Sequence, residues 1–148
     1  MTAAAAGRPA PVHPGLVTRG IALVAAAGLA VDAVVHLRLA PDYQLAAPAG
    51  IGQGNLFRIA AVAAILAALW VLVRPSRLSF AVAFVVGASA LVAVLLYRYV
   101  DVPGFGPIPS MYEPTWFPEK TLSAVAEAVA TLAAVTGLAR MRVPAVAR

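Results

Sequence analysis

The chain has no cysteine. A disulfide framework, a thiolate metal site and a dithiol redox pair are therefore all excluded. Charge is nearly as scarce: 11% of the 148 residues are Asp, Glu, Lys or Arg, against 62% hydrophobic. A soluble domain carries about 25% charged residues, and this chain has too few to cover a water-facing surface. Acids are rarest of all, with six in total: Asp32, Asp42, Asp101, Glu113, Glu119 and Glu127. Lysine occurs once, as Lys120, and histidine twice, as His13 and His36. The pI of about 10.5 does not point to nucleic acid. The cations flank apolar stretches singly or in pairs, which is the pattern of membrane topology signals.

What is present is apolar sequence in four segments. They run over about 20–40, 55–73, 78–100 and 118–138. Each is about 20 residues long, enough to cross about 30 Å of hydrocarbon at 1.5 Å per residue. Four spans cannot close a barrel, and unpaired backbone is not tolerated in lipid, so the spans are helices. The expected fold is an all-α, polytopic four-transmembrane-helix bundle over residues 19–140. Residues 1–18, rich in Ala and Pro, read as a disordered tail, and 141–148 as a second tail. A cleaved signal peptide ending near Asp32 is the rival reading of the first span. Against it, the apolar run resumes at Val34 and continues to Ala40. Asn55 is the expected N-cap of the second helix, and Pro118 suits the first turn of the fourth.

Arg8, Arg19, Arg74, Arg77, Arg140, Arg142 and Arg148 share one side of such a bundle; Arg38, Arg58, Arg98 and Lys120 share the other. Seven cations without an acid mark the cytoplasmic side. The expected protein thus sits in a bacterial plasma membrane with both termini inside and all six acids on, or in, the outer half.

Depth follows from helical rise. Asp32 lies about 12 Å inside the outer end of the first span, and Glu127 lies at a similar level in the fourth. His36 is one turn from Asp32 on the same face. Ser123, Glu127 and Thr131 repeat every four residues beside Ala130, Ala134 and Gly137; Ala25, Gly28, Asp32 and His36 do likewise. Small and polar residues on one stripe mark a helix–helix interface in lipid. Asp32 and Glu127 are therefore expected to point inward, toward each other or toward His36 and Arg58. Arg98 and Asp101, three residues apart, close the outer end of the third span. Ionisable residues in a span mark a functional site by default, and the expected polar cluster is Asp32, His36, Arg58, Arg98, Asp101 and Glu127. The bland alternative is a structural ion pair, with Arg98 snorkelling among Tyr97 and Tyr99.

One imidazole and two carboxylates are a donor set used by divalent metals, which makes Asp32, His36 and Glu127 candidate ligands. Haem held by two histidines of one chain is excluded, since His13 lies on the wrong side. The loop from Val102 to Phe117, with five prolines between Pro103 and Pro118, reads as a stiff cover. Its Tyr112, Glu113 and Trp116 are candidates for headgroup anchoring, for a lid or for docking a partner. No phosphate loop or nucleophile constellation is found.

The run His36, Leu37, Arg38, Leu39, Ala40, Pro41, Asp42, Tyr43 is similar to one in an uncharacterised family of actinobacterial four-span integral membrane proteins. Arg98, the 103–107 loop, Glu113 with Pro114, and Glu127 resemble further features of that family. Tyr97 and Tyr99 depart from the Trp and Ser expected beside the arginine. The resemblance implies that His36, Arg98 and Glu127 share one site; it carries no activity and names no cofactor. The expected role is a non-catalytic accessory subunit or partner-docking protein embedded in lipid, with other membrane-protein subunits or further copies of itself as its candidate partners. The alternatives are a small-molecule or ion-binding protein with an externally open pocket, and then a membrane oxidoreductase or metal enzyme.

Overall fold

Small residues decide how these helices pack. The computed structural model describes residues 15–141, and among them it is all-helical, without strands. The helices are α1 (Leu16–Ala46), α2 (Gln53–Val73), α3 (Arg77–Tyr99) and α4 (Pro118–Arg140), each long and apolar enough to cross a membrane. The interhelical core is built of Ala22, Ala26, Ala33, Ala61, Ala64, Ala67, Ala83, Ala130 and Ala134, with Leu29, Val71 and Phe80 as its larger members. A Cβ on Gly28 would stand 2.7 Å from the Ala126 carbonyl oxygen, and one on Gly137 would stand 2.4 Å from the Phe80 ring. Such close approach is how helices associate where lipid is as apolar as leucine. α1 packs most extensively on α2 and α4, and α3 on α4, while the α2–α3 seam is looser. Large aliphatics such as Leu23, Ile59, Leu66, Val85 and Leu132 point outward, as lipid-facing side chains should.

The two ends of the bundle differ. At the terminal end, α2 and α3 are joined by residues 74–76, and Ser76 caps α3 through a capping box with Ser79. At the loop end lie residues 47–52 and 100–117. These two loops are tied together by the Ile51 N–H donating to the Pro107 carbonyl at 2.9 Å. Phe105 and Ile108 exchange two backbone hydrogen bonds around Gly106, whose φ of 56° is left-handed. The tip of the 102–117 cover, residues 105–108, is thus a folded turn.

Three boundaries differ from the sequence expectation. α1 does not stop at Ala40; it continues through Pro41 to Ala46, 31 residues or about 46 Å. The missing Pro41 N–H costs a hydrogen bond. The last turn is held instead by α2, because the Asn55 N–H donates to Gln44 Oε1 at 2.9 Å. Gly54 lies so close that a Cβ there would meet the Ala40 carbonyl. Asn55 is therefore not the N-cap of α2, a position held by Gly52; its side chain donates to the Ile51 carbonyl. Residues 16–18 of the expected tail are the first turn of α1, whereas Arg8, His13, Arg142 and Arg148 lie outside the described residues.

Candidate functional site

Asp32 and Glu127 are each 1% exposed, on α1 and α4. Ser123 stands between them, its Oγ 2.7 Å from Asp32 Oδ1 and 3.0 Å from Glu127 Oε1. His36 Nδ1 lies 2.9 Å from Asp32 Oδ1 and 3.1 Å from the Asp32 carbonyl. Its ring stands perpendicular to that of Phe57 of α2, with centroids 5.0 Å apart. Glu127 Oε2 is buried without a hydrogen-bond partner. One donor atom from each of Asp32, His36 and Glu127 can be chosen so that all lie within 4.8 Å of one another. The stripes on α1 and α4 thus meet where their spacing predicts.

Proton counting gives this cluster its chemistry. Ser123 has one hydroxyl proton and can donate to only one carboxylate. If both acids are ionised, one faces a lone pair at hydrogen-bond distance. The only ion pair among the described residues is His36 with Asp32, so two carboxylates are matched by at most one positive charge. Buried charge without a counter-charge costs several kcal/mol. With both acids ionised, the cluster is at least one cation or one proton short of neutrality.

A cavity of about 210 Å³ adjoins the cluster. His36, Ser123 and Glu127 line one part of it; Tyr43, Gln53, Tyr97, Glu113 and Lys120 line another. Leu39, Leu56, Phe57, Val94 and Phe117 give it mostly apolar walls. Its cover is fastened at several points. The Glu113 N–H donates to the Tyr97 carbonyl at 3.0 Å, and the Glu113 carbonyl accepts from Lys120 Nζ. The Trp116 ring lies 5.8 Å from the Arg98 guanidinium and 5.6 Å from Lys120 Nζ.

Arg58 does not join the cluster. It is exposed and donates to Asn55 Oδ1 at 2.7 Å; Phe57, one residue or about 100° away around the helix, faces His36 instead. Arg98 is not part of it either. It packs on Tyr99 at 4.9 Å and on Trp116, so it belongs to the cover. Asp101 is exposed and unpaired with Arg98. Tyr112 is exposed, and Glu113 and Trp116 hold the cover as just described.

Lys120 is the residue that sequence reasoning passed over, having counted it only as an outer cation. It is 7% exposed. Its spacing of three from Ser123 and seven from Glu127 places it on the same helical stripe, a signal available in the sequence. Phe57 carried no such signal. No protein family, curated protein or solved structure matches the chain.

Proposed function

We propose that this four-helix membrane protein is a binding protein whose cavity receives a small, largely apolar ligand or an ion from the outer face of a bacterial plasma membrane. The observation that carries the reading is the covered cavity of about 210 Å³ with a charge-deficient polar cluster at its wall. Ligand sites are typically concave and apolar with a few convergent polar groups. The arginine asymmetry supports cytoplasmic termini, which puts the cavity, Asp32 and Glu127 in the outer half. Resemblance to the actinobacterial four-span family is compatible with this reading and adds no activity to it. A partner-docking role is the second reading, favoured by Phe105, 83% exposed at the tip of the cover.

The absence of cysteine makes the test direct. An impermeant thiosulfonate reagent applied outside intact cells should label Ala60→Cys, on the cavity wall. It should leave Ala83→Cys, fully buried in α3, unlabelled. Equal inertness of the two would remove the pocket reading, and labelling only in inverted vesicles would reverse the orientation.

A further inference from the structure

Two carboxylates and an imidazole on two rigid helices are a ligand set for a metal ion as well as a polar cluster. We propose that Asp32, His36 and Glu127 bind one divalent first-row transition-metal ion, with the apolar cavity providing room for a further ligand on that ion. The inference deepens the pocket reading and rests on it.

Donor type and placement agree. Imidazole and carboxylate together suit ions of the manganese-to-zinc series. Bonds of about 2.0–2.2 Å require donor atoms roughly 3.4 Å apart in a tetrahedron, and here they lie within 4.8 Å of one another. Side-chain rotations on the order of 1 Å therefore close the set. Helical placement gives such a site more precision than loops would.

Charge agrees as well. A divalent cation with two carboxylates and a neutral imidazole sums to zero, which relieves the shortfall that His36 alone cannot make up. Ser123 could then donate to one carboxylate without opposing the other. Glu127 Oε2, buried and without a partner on the cavity wall, is the atom that a cluster closed on itself leaves unexplained. No protein cation competes for the place. Arg58 is turned outward, Arg98 lies under Trp116, and Lys120 is engaged by the Glu113 carbonyl. Phe57 packs perpendicular to the imidazole, with ring centroids 5.0 Å apart. The rival is a proton shared between Asp32 and Glu127 by way of Ser123, which needs no metal.

The experiment uses the full chain in mild detergent, stripped with chelator and titrated with Zn²⁺ and Co²⁺. The metal site predicts one equivalent by elemental analysis. It also predicts visible ligand-field bands for Co²⁺ and a paramagnetically shifted imidazole resonance. Glu127→Gln and Asp32→Asn should each weaken binding by at least about tenfold, while Asp42→Asn, exposed on the last turns of α1, should not. If the carboxylate variants fail to fold, the Co²⁺ bands and shifted imidazole of the unaltered chain still decide the matter. No metal bound while Ala60→Cys still labels from outside would overturn the metal and leave the pocket standing. No metal and no labelling would remove both. Binding unchanged in Glu127→Gln would place the ion elsewhere and overturn the proposal.

Discussion

The terminal half and the loop half of the bundle are made of the same four helices yet pack in opposite ways. In the terminal half, alanine and glycine face one another and Phe80 lies against Gly137, so the helices approach closely, leaving an open groove between α1 and α4 near Gly20 and Ala133. In the loop half, α1, α2 and α3 present Leu39, Tyr43, Phe57, Val94 and Tyr97, with Asp32, Ser123 and Glu127 below them. Bulky rings cannot interdigitate as alanines do, and the carboxylates resist burial against apolar groups. A cavity results, and the loop 100–117 covers it. The comparison teaches that residue size along each stripe sets where a lipid-embedded bundle packs closely and where it can hold something.

The strongest way to break the comparison is to force apart the closely packed half. Gly28→Leu forces a side chain onto the Ala126 carbonyl, which is backbone and cannot rotate aside. A loss at or above the upper end of about 1–3 kcal/mol is expected in unfolding from detergent, together with loss of the cavity cluster, since Gly28 is one turn from Asp32. A change below about 0.5 kcal/mol would mean that the α1–α4 contact is looser than the geometry implies.

A smaller effect should come from loosening the cover. Trp116→Ala removes the ring shared by Arg98 and Lys120, contacts worth about 0.5–1 kcal/mol each. Stability should fall only by about 1–2 kcal/mol, while thiol labelling of Ala60→Cys should accelerate several-fold. Unchanged labelling would show that Trp116 does not restrict entry.

The smallest effect sharpens the boundary of the cluster. Arg58 touches Asn55 and none of the acids, so Arg58→Ala and Glu127→Leu should be additive within about 0.5 kcal/mol. Coupling above about 1 kcal/mol in the double-mutant cycle would restore Arg58 as the partner of Glu127.

Much of the site was legible because stripe positions are arithmetic. Ser123 and Glu127 lie on the α4 stripe and Gly28, Asp32 and His36 on that of α1, and the structure brings these together, while Thr131 lies beside Gly87 of α3. The arginines were harder to place, because a long flexible side chain can reach several partners from one Cα. Arg58, expected toward the acids of α1 and α4, bonds Asn55 one turn away, and Arg98 packs on Tyr99 and Trp116 instead of pairing with Asp101. Passage of α1 beyond Pro41 was hidden too, since proline normally ends a helix. What compensates is Gln44 meeting the first turn of α2, a contact between helices.

The sequence by itself determined the number of helices, their apolar character and the two polar stripes, because span length and periodicity are local properties paid for by the solvent. Only the tertiary structure decided which arginines stay out of the cluster, that Lys120 is buried beneath the cover, and that Ser123 offers one proton to two carboxylates. Those outcomes depend on distances between helices, which are set by how closely Gly28, Gly87 and Gly137 let the neighbouring helices approach.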